Sequence, residues 1–597
     1  MAGTHFLKNV NVKIKLKQTG QELLAWLQKH SVGIVVAVII ALIIAVPAFV
    51  FRFSAAYQGV DMFKTNTENH YVTQIREVYD GHAWLGNPYL ADVKDTPYLF
   101  PPLSPNLVAW LGQGLGLDAV TANLVTRFIL VMLLGLVIYL FSYNLTGRRE
   151  IGWVATPFII LGYDLVEPGT LLQILRGQGW SEIVGFIGYG RPINPQVSSL
   201  FFFSYLLFFF KYLQTNGKLR YGILSAIILG SSFYVYLFTW TFLFSLNAFV
   251  WLFYVWKKNW VGVKKVTGVS VGAALLGIPY LLHLLTITRH PWYTETVLRF
   301  GFIATRKPDI SRLVSIGLIM FLIFYRWFSR ELKFFFSIFF LTAFFVINEQ
   351  VITGKFVFNH HYHWYYNVPL VILFLVIWVF TVQEKFFARK FFAYGLATIS
   401  VGLLFTAGIT RQQVAYKQAL PEVLSEQRYA PILQWLQANT KLDTTVLTNQ
   451  PIGDLVPVLT HNNVYYSPLG AVTLLPNERL LHSYLVYTYF EKGIDKNIRQ
   501  YFEDRREDIS NKVFDYQYYF QKDVCLGCFP NEIIDQMTSA YLDLSNENFL
   551  PFIKKYPLDY VLWDREKNPE WHLDRFGWKV AKEFGSLIVY DLSVWPN

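Results

Sequence analysis

Apolar windows of about twenty residues, the length that crosses a bilayer's hydrocarbon core, recur along most of this chain. The first covers 32–53, and stretches such as 200–212 and 334–345 are almost wholly Phe, Leu and Tyr. With 53% hydrophobic and only 16% charged residues, the 597-residue chain is too apolar for an ordinary soluble protein. Further spans are read at 124–145, 151–166, 195–213, 221–238, 239–256, 266–288, 310–328, 334–350, 365–382 and 391–410. With the first they make about eleven, some needing tilt to fit.

The formal charge of +11 raises the question of nucleic acid, but its distribution answers otherwise. Lys8, Lys13, Lys15, Lys17 and Lys29 precede the first span. The other basic groups, near 148, 257–265, 326–333 and 385–390, sit at the ends of apolar runs, as the positive-inside pattern requires. Residues 1–31 then form a cytoplasmic basic segment, part of it amphipathic or else a disordered tail. The 32–53 run is a retained signal-anchor, too long for a cleaved signal. Alternation from an inside start puts the loops at 148, 218, 257, 330 and 385 inside, and an odd count puts 411–597 outside. The expected fold is a polytopic all-α membrane domain over 32–410, followed by an extracytoplasmic α/β domain over 411–597. Merging the closely spaced pair near Tyr234 and Trp240 would flip every later loop.

Two features lie outside the hydrocarbon. The first outer loop, 54–105, is long, aromatic and acidic, carrying Asp61, Glu68, Glu77, Asp80, Asp92 and Asp95. Connectors in compact proteins are usually far shorter, so this one is expected to fold and to hold a site at the membrane face. The outer domain carries both cysteines, Cys525 and Cys528, expected to form a local disulfide in an oxidising compartment. A single pair cannot fill a tetrahedral zinc site.

Within the first loop runs Thr67-Glu68-Asn69-His70-Tyr71. Further on come Asn348-Glu349-Gln350-Val351-Ile352-Thr353-Gly354 and His360-His361-Tyr362-His363-Trp364. With the polytopic layout and outer carboxy-terminal domain, the chain resembles the GT-C superfamily of membrane glycosyltransferases. The likeness is to its protein O-mannosyltransferase and oligosaccharyltransferase branches; protein O-mannosyltransferase-like members carry Asp-Glu-x-His-Phe/Tyr soon after the first span. The resemblance implies an inverting transferase of the cytoplasmic membrane, working on its outer face. It would take a sugar from a polyprenyl-phosphate or diphosphate donor and pass it to a glycan, lipid or protein acceptor. The family's base is usually the Asp of that pair, and Thr67 stands in its place. Glu68 or Asp61 is expected to supply the carboxylate, with another acid, or lost catalysis, as the remaining options.

The chemistry asks for the same groups. Glycosyl transfer needs a base for the acceptor hydroxyl, worth about 10²–10⁴-fold, and donors that stabilise the departing phosphate. Arg289, Arg306 and Arg191 are the donor-phosphate candidates, because the guanidinium fork matches phosphate oxygens. Headgroup anchoring is the plainer role for most outer cations. His70, Tyr71, His361, His363 and Trp364 are candidates for sugar or acceptor binding, with Tyr362 and Tyr365 as further stacking faces. Asp164 and Glu167 resemble the second acidic motif of oligosaccharyltransferases, so a divalent metal is the one cofactor option. Two other functions compete. A transporter or flippase for lipid-linked glycans would show repeats or mid-membrane charges, whereas the acids here cluster in outer loops. A catalytically silent assembly partner would fit Thr67.

Overall fold

In a computed structural model the apolar runs form helices, the conformation that pairs backbone polar groups within its own segment. The structure describes residues 3–65, 67–177, 185–214, 217–387, 389–493, 495–518, 529–544 and 546–593. Among these, seven helices are long and apolar enough to cross a membrane: Gln21–Arg52, Ala119–Thr146, Pro192–Leu213, Leu237–Trp256, Trp260–Thr288, His360–Phe386 and Lys390–Asn439. The expected count of eleven is therefore not confirmed among the described residues. Helices do form at the other four places, but Arg149–Leu161, Leu219–Ser232, Arg312–Ile323 and Arg330–Val346 have 13, 14, 12 and 17 residues. At 1.5 Å per residue the longest of them reaches about 25 Å, short of the ~30 Å core. The sequence windows had counted apolar turn residues, such as Phe233 to Tyr236 and Phe324 to Phe328, as helix.

Aromatic packing fills the bundle. Phe202 lies 4.6 Å from the Tyr366 ring, and Phe336 lies 5.1 Å from that of Phe374. Helices close up where a side chain is missing. A Cβ at Gly33 or Gly152 would come within 2.6 or 2.7 Å of the Tyr139 ring, so both positions must stay bare.

Contacts separate the two ends of the bundle. At one end the basic turns meet one another: Arg148 donates to the Phe380 carbonyl at 3.3 Å and to Glu384 at 2.9 Å. Nearby in kind, Lys265 donates to the Tyr212 carbonyl at 2.8 Å. At the opposite end Arg52 pairs with Asp61 at 3.2 Å, Arg411 with Asp164, and His363 with Glu167 at 2.8 Å.

The carboxy-terminal region carries a five-stranded mixed sheet. Its spatial order is Asn463–Val464, Thr445–Thr448, Tyr560–Asp564, Leu587–Asp591, Lys579–Phe584; the first two pairings are parallel and the last two antiparallel. The strand at 579–584 is mostly exposed, which is why an apolar-run reading passes over it.

The first loop folds onto this region. It contains helices Glu68–Tyr79 and Leu103–Gly114, and Val60, Phe63, Val72, Tyr89 and Leu90 enter the same apolar core as Ile452, Val456 and Leu485. Val464 N–H donates to the Tyr89 carbonyl at 2.9 Å. Lys94 bridges Glu77 at 3.1 Å and Asp443, while Arg479 pairs with Asp92 at 3.0 Å. Helix Lys390–Glu426 leaves the bundle and holds the loop from below, through Lys64 to Glu426 at 2.6 Å. Cys525 and Cys528 lie outside the described residues.

Candidate functional site

Three segments at this end of the bundle converge on Arg191. Its guanidinium donates to Thr67 Oγ1 at 2.8 Å and to the Tyr365 hydroxyl at 3.2 Å, and lies 5.6 Å over the Tyr71 ring. The short run Pro192–Val197 that follows it is wound unevenly, with Asn194 in an extended conformation, so the chain turns sharply there. This presents Arg191 just ahead of the span-length helix. Arg191 is 9% exposed, a setting in which a cation needs hydrogen-bonding partners. Beside Tyr365, His361 sits half-buried, its Nδ1 2.7 Å from the Tyr236 hydroxyl and its ring edge-on to Phe238. Arg191, Tyr71 and His361 were expected at a site, and the fold brings them to one place with Thr67, Tyr236 and Tyr365.

Thr67 holds a left-handed backbone, with φ 58°. That region is uncommon for any residue with a Cβ and is a clear outlier for a β-branched one. It stands immediately before helix Glu68–Tyr79 and makes no side-chain cap bond to it. Its hydroxyl accepts from Arg191 instead. Thr67 is thus turned toward the site's cation.

Glu68 faces the other way. It is 1% exposed, and four donors reach its carboxylate. Oε1 accepts from the Arg127 guanidinium and from Asn123 Nδ2 at 3.1 Å; Oε2 accepts from Thr65 Oγ1 and from Thr65 N–H at 3.2 Å. This is the setting of a structural anchor between the first loop and helix Ala119–Thr146, because a base needs a free lone pair toward its substrate. Asp61 has fewer partners. Arg52 at 3.2 Å and the Tyr57 hydroxyl at 3.0 Å donate to it, and burial raises its carboxyl above the ordinary range.

His70 is also enclosed. Nδ1 lies 2.7 Å from the Tyr89 hydroxyl, Nε2 lies 2.8 Å from Gln74 Nε2, and burial lowers the imidazole to about 4. It is a neutral packing residue of the loop.

The remaining candidates are dispersed. Arg289 is exposed at the end of helix Trp260–Thr288 and makes no side-chain contact among the described residues. Arg306 is exposed and clips the carbonyls of Val351 and Ile352 at 2.8 and 3.0 Å. Trp364 is 51% exposed. Asp164 and Glu167 have separate partners: the first is paired with Arg411, the second with His363. Among the described residues no group of three or more His, Cys, Asp or Glu side chains could hold a metal.

Sequence reasoning missed Arg127, the partner that explains Glu68. Its signal was present, since a lone arginine within an apolar run implies a buried counter-charge. No comparable signal marked Tyr236, whose part depends on the chain folding back over a long distance. A scan against family models and a search of curated proteins both find no match for this chain.

Proposed function

We propose that this chain is a membrane glycosyltransferase of the GT-C type, taking a sugar from a polyprenyl-phosphate donor at the bundle end that carries the first loop. The observation that carries the reading is the meeting at Arg191 of the segment 67–71 with Tyr365, the residue directly after 360–364; both segments resemble that superfamily in sequence. Arg191 supplies a planar fork of donors suited to phosphate. Tyr71, Tyr365 and His361 supply ring faces and hydrogen-bonding groups of the kind that hold a sugar. Within this reading Asp61 is better suited than Glu68 to accept a proton, having fewer donors to shed.

Donor binding to the purified chain in lipid nanodiscs tests this. Loss of a charge-assisted contact costs about 1.5–3 kcal/mol, so Arg191→Ala is expected to weaken binding of a polyprenyl-phosphate sugar roughly ten- to hundredfold. Arg191→Lys restores only part of it. Unchanged donor affinity in Arg191→Ala at unchanged thermal stability refutes the reading.

A second reading is favoured by one observation: the base position is threonine, and both nearby acids are in ion pairs. On this reading the chain binds the lipid phosphate without transferring the sugar. Donor binding with no sugar transfer, in membranes that contain acceptor, selects it.

A further inference from the structure

A cavity whose lining does not include Arg191 lies at the same end of the bundle. It has a volume of about 240 Å³ and is open on one side. Glu167, Ser311 and His363 all line it, and they form one hydrogen-bonded chain. His363 Nε2 is 2.8 Å from Glu167 Oε1, and His363 Nδ1 is 3.2 Å from Ser311 Oγ. Glu167 and Ser311 each precede a helix and His363 lies in the first turn of another, so no local sequence pattern announces them. A nucleophile within reach of an imidazole, itself oriented by a carboxylate, is recognised by such geometry rather than by sequence order.

We infer that Ser311, His363 and Glu167 form a nucleophilic triad that cleaves or transfers a short carboxylic ester bound in this cavity.

The hydrogen bonds suit one tautomer, with Nε2–H donating to Glu167 and Nδ1 accepting from the Ser311 hydroxyl. The imidazole is used through the opposite edge from the usual arrangement, and its two nitrogens are chemically able to exchange roles. Ser311 is also the residue before helix Arg312–Ile323, and its Oγ accepts from Val314 N–H at 3.2 Å. Residues Arg312 and Leu313 line the cavity beside it. Their N–H groups belong to the helix's first turn and have no intrahelical acceptor. Such donors next to a nucleophile can stabilise the oxyanion of a tetrahedral intermediate. Leu313, Ile347 and Pro168 give the cavity an apolar side for a small acyl group.

The step balances without a cofactor. Ser311 Oγ attacks the ester carbonyl and His363 takes the hydroxyl proton. The C–O bond to the alcohol then breaks, and His363 returns the proton to the departing alkoxide. Water, or a second alcohol, reverses the sequence on the acyl-serine and frees the enzyme. Glu167 keeps its charge throughout and orients the ring.

The test uses the full chain in nanodiscs and a fluorophosphonate probe. In that reaction Ser311 Oγ bonds to phosphorus, fluoride leaves and His363 takes the proton. Mass spectrometry of the unmodified chain is expected to map the adduct to Ser311. Hydrolysis of p-nitrophenyl acetate is expected to fall about 10²–10⁴-fold in His363→Gln. Glu167→Gln is expected to slow labelling at least tenfold while Ser311 is still modified. If Ser311 served only to cap its helix, the unmodified chain would carry no adduct there; an adduct elsewhere, or none, overturns the inference. Because the decisive measurement is on the unmodified chain, misfolding of a variant cannot decide it. Sugar-donor binding at Arg191 plays no part in either readout.

Discussion

Glu68 shows how a residue's partners change what its substitution measures. A base role and an anchor role both make Glu68→Gln inactive, but they differ in stability. The anchor role leaves Arg127, itself 4% exposed, as an unpaired buried charge, which costs about 3–5 kcal/mol. Glu68→Gln is therefore expected to lower the thermal midpoint sharply, and Glu68→Leu with Arg127→Met to recover much of it. A Glu68→Gln chain as stable as the parent would remove the anchor assignment. Thr67 makes a second prediction at this scale. Its positive φ is strained for a β-branched side chain, by about 1–3 kcal/mol. Asparagine tolerates that backbone better and keeps an acceptor for Arg191, so Thr67→Asn is expected to raise stability by roughly 1 kcal/mol. A lower unfolding midpoint would contradict this.

At the scale of elements, the short helix Tyr293–Arg299 is held to the carboxy-terminal region by Glu295, Thr296 and, with the most bonds, Arg299. Arg299 is fully buried and donates to the carbonyls of Ala471 at 2.9 Å and Leu475 at 2.5 Å, and to Asn477 Oδ1 at 2.5 Å. Burial and these bonds give this arginine a structural role. The same loss of solvent lowers its guanidinium to about 10, still charged at neutral pH. With the Thr473 carbonyl at 3.4 Å as a fourth partner, Arg299→Met is expected to free four acceptors at about 1–3 kcal/mol each. Hydrogen exchange should then speed up first across 470–477, with the bundle helices unchanged. Uniform exchange across the chain would mean that the contact is not local in effect.

For the whole molecule, the joint between the first loop and the carboxy-terminal region carries opposing titrations. Burial pushes Glu77 up to about 8 from 4.5, against the pull of Lys94 and with Asp80 and Asp443 adding to the rise. A raised carboxyl stabilises the fold fully below pH 4.5, and that contribution is lost as pH rises through 8. His70 works in the other direction. Burial lowers it from 6.5 to about 4, so its contribution is present above 6.5 and lost as pH falls through 4. Stability is expected to peak between these limits. Glu77→Gln removes the alkaline loss, and Lys94 keeps Asp443 as its partner. Thermal midpoints from pH 4 to 9 check this: an alkaline limb equally steep in Glu77→Gln would show that Glu77 does not set it.

The membrane class, the places where helices form and the principal strands were legible in the residues, because apolar runs and turn signals act locally. Lengths were less so. Phe and Tyr are as apolar in a turn as in a helix, and four expected spans came out as helices of 12 to 17 residues. The segments at 67–71 and 360–364 could be picked out, but the meeting at Arg191 of the first with Tyr365, just after the second, could not. Nor could the sequence distinguish Glu68 as an anchor from Glu68 as a base. That depends on Arg127, Asn123 and Thr65 all aiming at one carboxylate. Apolar pattern determines which segments leave water. Which polar groups find each other afterwards is decided by packing, since burial leaves each charge only the partners that the tertiary structure brings within reach.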